Sequence, residues 1–494
     1  MRFQKKSIVL TLIMGCVAFP FLPSAPAAGP ADVDPSQAEE PVMLSLEDCL
    51  RLATQNNPFF LREKEGIEQS VLALTKTRHF FTTNPSNLIS SRFTGGPGMD
   101  DQVSTSAELG LSKNLGRGGS VSGSADTSHL YLGEPESSDS FQSSFRLNFT
   151  QPLLQGAGIL VGRESLTDAE RQVTYAERDF ELFKQDFAIE IASRYWRLLE
   201  RKRRVESRKK ALESAQFSMN MMRERFDLGL GKTQGKGKID ALTAEVNFYN
   251  AQDDLNATEQ GYRLTLDQFK LDLGIDIQTP VELVEERLEY APLEVDTKKS
   301  IETALVRRLD LITARDRLED EKRRLAITRD SLRTRLDFDA SYTVPSTSAE
   351  SFTEQAAGSP YFSSGLTLEL PLDRTVERAN VSLSVLSYVQ RERSVKRLAD
   401  EIVLEVRSAV RDSERADYSL KIQELNRKRA ASLLELAELS LEQGEITQRD
   451  FDDARNDFIS AEDAYNAALV DFLIAKLQLR RVVGTLYVDT EISW

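Results

Sequence analysis

The sequence predicts a mainly α-helical chain with a β section, laid out twice in the same order. Three observations predict it. From Leu433 to Gly484 a helix runs into a glycine turn at Gly444 and a second helix runs out. After that turn, apolar or small residues fall at Ala454, Phe458, Ala461, Tyr465, Ala468, Phe472, Ala475 and Leu479, in steps of four and three. That is the heptad seam of a coiled coil, which supercoils left-handedly against a partner helix. A second helix–glycine turn–helix unit lies at Met219 to Leu273, with its glycine at Gly229. Finally, Phe141, Ser143, Phe145, Leu147 and Phe149 share one parity, and Gln142, Ser144, Arg146, Asn148 and Thr150 the other, which defines a two-faced strand.

At the N-terminus, Arg2, Lys5 and Lys6 precede the apolar run Ile8 to Leu22 and the small residues Ser24-Ala25-Pro26-Ala27. This is the three-part pattern of a secretory signal, residues 1–27. Met14 makes Cys16 a poor lipidation site. Cleavage removes three positive charges, taking the formal charge from −15 to −18, an unfavourable balance for a nucleic-acid partner. Mean hydropathy is −0.37, and no later apolar run reaches the ~20 residues of a membrane helix. Cys49 is then the one cysteine left, on the apolar side of a short helix, and reads as a buried thiol.

Residues 28–43 form a Pro/Ala/acidic lead-in with the composition of a disordered segment. The first repeat spans 44–280. Ser45 with Asp48 opens a short helix, Asn56-Asn57-Pro58 stops it, and another helix runs to Phe81. Strands are expected at Val103 to Leu111, Val121 to Leu132 and Phe141 to Leu153, within about 103–153, after a change of texture at Ser90. The apolar face suits either a core or lipid; the consistent polar face suits a strand lining water inside a barrel. The hairpin follows at about 164–273, where one helix from Glu164 to Leu228 would span ~95 Å. Residues 281–297 read as an acidic connector. The second repeat, 298–488, has strands within about 336–372 and its hairpin at about 376–483; residues 489–494 form a tail.

Several short segments occur in a fixed order. They are Leu44-Ser45-Leu46-Glu47-Asp48-Cys49-Leu50-Arg51-Leu52-Ala53, then Asn56-Asn57-Pro58; the strand ends Gln151-Pro152-Leu153 and Leu370-Pro371-Leu372; and the turns Arg225 to Gly229 and Ser440 to Thr447. In that order, and twice over, they resemble the TolC-like outer-membrane efflux protein family of Gram-negative bacteria, from Leu44 to about Val488. The resemblance implies a homotrimer. Each chain would give four strands to a 12-stranded outer-membrane β-barrel, continued by a periplasmic α-helical coiled-coil tunnel. It implies the exit duct of a tripartite efflux or secretion system, with a periplasmic adaptor protein, an inner-membrane transporter and outer-membrane lipid as partners.

The resemblance also places a pore constriction. Family aspartates six and nine residues after the second-repeat turn glycine correspond to Asp450 and Asp453. Asp240 is the nearest candidate in the first repeat. Phe226, Leu228, Gly229, Leu441, Gly444 and Thr447 would form the periplasmic tip turns. Read without the family, Asp450, Asp452 and Asp453 are also a solvated first-turn cluster facing the helix dipole.

Catalytic patterns are missing. Gly231-Lys232-Thr233 has Phe226 where a phosphate loop needs glycine, and follows a helix rather than a strand. His79, His129 and Cys49 supply no convincing metal cluster. The expectation is a passive conduit with no enzymatic activity and no cofactor. A type I protein secretion duct and a pore-free periplasmic scaffold are the alternatives, and the scaffold has no need of two-faced strands.

Overall fold

The computed structural model describes residues 42–487, except 97–98, 133–139, 229–233, 286–289, 291–294, 348, 350–354 and 444. The signal, the lead-in up to residue 41, Gly229, Gly444 and the 489–494 tail lie outside the described residues.

Each repeat opens with the same helical corner. In the first, α1 (Leu46–Asn56) carries a capping box in which Ser45 and Asp48 satisfy each other's backbone N–H groups. It stops at Asn57, whose extended backbone precedes the proline that starts α2 (Pro58–Phe80). In the second, α6 (Thr297–Arg307) and α7 (Leu309–Asp330) meet at Arg308, with φ and ψ of −63° and 121° against −68° and 122° at Asn57. The two corners therefore share a backbone but not a residue. Asn57 caps with its side chain; Arg308, 8% exposed, instead binds Asp310 and Glu405. Helix α7 ends at Asp330, and Arg335 begins a strand.

The hairpin helices are very long. The short α3 (Ile159–Gly162) leads into α4 (Glu164–Asp227), which pairs with α5 (Gln234–Leu273). In the second repeat, α8 (Thr375–Glu442) pairs with α9 (Gln448–Val483). At 1.5 Å per residue, α4 and α8 reach about 96 and 102 Å. Helix α5 starts at Gln234, so the glycine–lysine stretch is partly helical. Helix α9 buries two faces. Ala468, Leu469 and Phe472 pack with Leu420 of α8, and Val470, Ile474 and Leu477 join the core formed by α1, α4 and α5. A single heptad stripe describes only the first. That core is tied by Phe60 against Phe180, Phe183 and Phe187, and it encloses Cys49, fully buried as expected.

The β structure departs from expectation. A two-stranded parallel pair joins β1 (Val42–Leu44) to β6 (Val281–Leu283), so the lead-in and the connector each contribute a strand where none was expected. The main sheet has six strands in the order β2 (Asn84–Gly96), β3 (Met99–Asn114), β4 (Ser120–Leu132), β5 (Ser140–Pro152), β7 (Arg335–Pro345) and β8 (Tyr361–Glu369). Every neighbouring pair is antiparallel. The expected runs correspond to β3, β4, β5, β7 and β8. Strand β2 was missed, because Asn84-Pro85-Ser86-Asn87 reads as a turn and only cross-strand pairing to β3 extends it. The expectation of four strands per chain is corrected to six in this sheet. The Gly116–Gly119 stretch is the β3–β4 turn: Leu115 N–H donates to Gly119 O at 2.7 Å, and Gly118 takes a φ of 90°, the glycine region.

Candidate functional site

The helical hairpin tips are built by capping. Helix α8 ends on Gln443, whose N–H donates to Leu439 O. Thr447 then stands extended as the N-cap of α9, and its hydroxyl oxygen accepts from Asp450 N–H. The Asp450 carboxylate accepts in return from Thr447 N–H at 2.9 Å and from the Thr447 hydroxyl at 2.6 Å. Those hydrogen bonds, the hydroxyl's first, hold the Asp450 carboxyl below the ordinary carboxylate value. Asp450 is thus a capping residue as well as an exposed anion. Asp453 lies one turn on, three residues later and exposed, so the two share a helix face. Asp240 is exposed in the second turn of α5, which packs on α4 and α1; no hydrogen bond or ion pair joins it to Asp450 or Asp453 among the described residues. Phe226 and Leu228 end α4 exposed, and Leu441 is half-buried. Lys238 is exposed on α5, while Lys232 lies outside the described residues.

The reading of Asp452 as part of a solvated cluster is corrected, because α4 covers it, and sequence reasoning passed over Arg455 and Asp463 on the same helix. Asp452 points into the contact between α9 and α4, where it accepts from Gln448 Nε2 at 3.1 Å and Ser218 Oγ at 3.4 Å. Burial pushes its carboxyl up. Arg455 stacks on Phe451 at 4.7 Å, and burial pushes its guanidinium down. Further along the same contact, Asp463 receives Arg204 at 3.6 Å and Arg208 at 3.4 Å. Burial still raises the Asp463 carboxyl against both arginines. The available signal was an arginine-rich stretch, Arg201 to Arg208, on one long helix facing an acid on another.

At the other end, the six strands present two chemically distinct faces. One carries Ile89, Phe93, Val103, Leu109, Leu111, Val121, Tyr131, Phe145, Leu147, Phe149, Phe338, Tyr342, Phe362, Leu366 and Leu368, brought together by the strand registers. Most of these large apolar side chains are exposed. The opposite face is serine-rich: Ser86, Ser90, Ser104, Ser106, Ser122, Ser124, Ser144, Ser341 and Ser363, with Arg92, Glu108, Asp126, Arg146 and Asp339 among them. Leu88, Leu130 and Tyr361 also lie on the serine-rich side, and the predominant alternation of an apolar with a polar face is the pattern of a membrane barrel wall. No helix among the described residues is long and apolar enough to cross a membrane, and no group of His, Cys, Asp and Glu there could hold a metal ion.

Comparison with known proteins agrees with this geometry. Residues 300–485 match the family model described as outer membrane efflux protein. The chain is 21% identical over 343 residues to outer membrane protein TolC of Vibrio cholerae, covering 69% of this chain and 76% of the relative. Its fold matches the CmeC outer membrane channel of Campylobacter jejuni with a TM-score of 0.67 at 15% identity, covering 89% of this chain and 85% of that one. It matches the outer membrane protein VceC of Vibrio cholerae at 0.63 and 14% identity, covering 89% and 96%. At these identities the solved structures establish the fold.

Proposed function

We propose that this chain is a TolC-like outer-membrane efflux protein, supported by the family match over residues 300–485 and the 21% identity to a TolC protein, and that it is the exit duct of a tripartite efflux or secretion system. It is an outer-membrane protein of the Gram-negative envelope with a large periplasmic portion, and it is not an enzyme. The observation that carries the reading is the two-faced sheet set on helices about 100 Å long. An isolated sheet in lipid must close so that no edge is left unpaired, and three copies close it. Lipid covers the apolar face and the serine-rich face lines the lumen. The conduit is passive: an inner-membrane transporter supplies the energy and a periplasmic adaptor protein joins the two.

The gate lies at the tips. Around a threefold axis, Asp450 and Asp453 place six carboxylates at one aperture, with Asp240 nearby and Phe226, Leu228, Leu441 and Thr447 at the rim. Crowded like charges attract cations and repel anions. The test is single-channel conductance of the purified protein in planar bilayers. Wild type is expected to conduct with cation preference, and Asp450→Ala/Asp453→Ala to lose that preference. Unchanged selectivity in the double variant would remove these residues from the gate and leave the channel. A pore-free scaffold would have no use for the apolar sheet face, and recovery of the chain in periplasmic rather than outer-membrane fractions would revive that reading.

A further inference from the structure

We propose that the free edge of β2 is an interchain surface that takes the β8 edge of a second copy, so that each chain supplies six strands and a closed trimer eighteen. The inference rests on the trimeric duct above and departs from the four-strand wall that the resemblance implies. Three observations carry it.

The first is parity. The β2–β3 hairpin continues the two-faced pattern of the other four strands, with Leu88 as its exception on the serine face. Ile89 pairs with Ala107, Ala107 with Thr127 and Thr127 with Ser143, so the odd residues of β2 share the apolar face of Phe145 and Leu366. A hairpin standing outside the wall would have no reason to keep lipid and lumen faces in register. The five antiparallel steps also leave β2 and β8 running in opposite directions, so joining them keeps the barrel antiparallel with an even strand count. All nine residues of β8 are exposed, and neither edge carries a lysine to deter pairing.

The second is the anchored turn. The β3–β4 turn is seated on the start of the helical region through glycines on both sides. A Cβ on Gly162 would stand 2.4 Å from Gly118 N and 2.8 Å from Gly116 O, and one on Gly118 2.2 Å from Gly156 O. Gly158 N–H donates to Arg117 O at 3.2 Å. The extra hairpin is therefore fixed at the rim of the wall.

The third is the fit between wall and tunnel. Below the sheet, α2, α4, α7 and α8 pack side by side in that order, with Arg78–Glu170 joining α2 to α4 and Arg178–Asp316 joining α4 to α7. Four helices about 8–10 Å apart cover an arc of about 32–40 Å. Six strands about 4.8 Å apart, tilted about 40°, cover about 38 Å, whereas four at that tilt would cover about 25 Å. Six strands thus span an arc comparable with that of the four helices.

The experiment is disulfide trapping across the joint. Ser86→Cys or Ser90→Cys on the lumen side of β2 is combined with Ser363→Cys or Thr367→Cys on the lumen side of β8, scanning the register. Single variants serve as controls, heat-modified migration as the folding check and native mass as the check on trimers. At least one β2–β8 pair is expected to give a reductant-sensitive covalent trimer at about three times the protomer mass. If Ser122→Cys or Ser124→Cys on β4 instead traps with β8, the hairpin lies outside the wall and the proposal is overturned. Heat-modifiable trimers that trap through none of the β2–β8 pairs overturn it as well. Folded protein that is not trimeric overturns the duct reading first, and this one with it.

Discussion

Ser218 of α4, 3% exposed, donates its hydroxyl to the Asp452 carboxylate of α9 at 3.4 Å, joining the two hairpins near their tips. Burial holds that carboxyl above its ordinary 3.8. A raised acid favours the folded state fully below the unfolded pKa and loses that contribution as pH rises through the folded one. At neutral pH Asp452 therefore strains the α4–α9 contact. We expect Asp452→Asn to raise the thermal midpoint at pH 7, with the gain shrinking as pH falls towards 4. A gain independent of pH in thermal scans would show that charge burial is not the cause.

Between α4 and α7, Asp320 is 3% exposed and receives the Tyr175 hydroxyl at 2.5 Å, Arg323 at 2.6 Å and Arg171 at 3.1 Å. Removing the acid leaves Arg171 without its carboxylate partner, and Arg323 with Glu164 at 2.7 Å as its remaining close one. Asp320→Ala is expected to cost about 3 kcal/mol or more, and Asp320→Asn less, because an amide oxygen still accepts. Denaturant unfolding checks both; an alanine variant as stable as wild type would show the cluster to be dispensable.

Thr447 caps α9 and is the first cause of Asp450's lowered carboxyl value. Thr447→Ala should cost about 1 kcal/mol at that helix end. Amide exchange is expected to quicken at Arg449 to Phe451 and hold steady at the buried Phe472. The Asp450 titration should move up towards 3.8; an unmoved titration would mean that another group sets it.

Gly162→Ala puts a methyl into backbone atoms that cannot yield. It should reduce the heat-resistant folded fraction. Gly66→Ala on α2 meets nothing within 4 Å and is expected to stabilise by about 0.5–1 kcal/mol through helix propensity. Equal behaviour of the two variants in a heat-modification gel would remove the close approach as a constraint.

Long helices, caps and two-faced strands were legible because each is written locally. Ser45 with Asp48 gives a capping box, Asn57-Pro58 a corner, and Phe141 to Thr150 an alternating strand, all within a few residues. The heptad after Gly444 found one buried face of α9. Its second face, through Val470, Ile474 and Leu477, exists only because α1, α4 and α5 gather there.

By itself the sequence determined the order of the two repeats, the length of their helices, the alternation of the strands and the exposed acids Asp450 and Asp453. Tertiary structure alone decided the rest. Ser218 and Asp452 are 234 residues apart, and Arg208 and Asp463 are 255. A carboxylate's burial depends on which distant helix covers it, and no local spacing encodes that. Strand β2 is the same case in backbone form: Asn84 to Asn87 has the composition of a turn, and becomes wall only when β3 supplies the hydrogen-bond partners its own neighbours cannot.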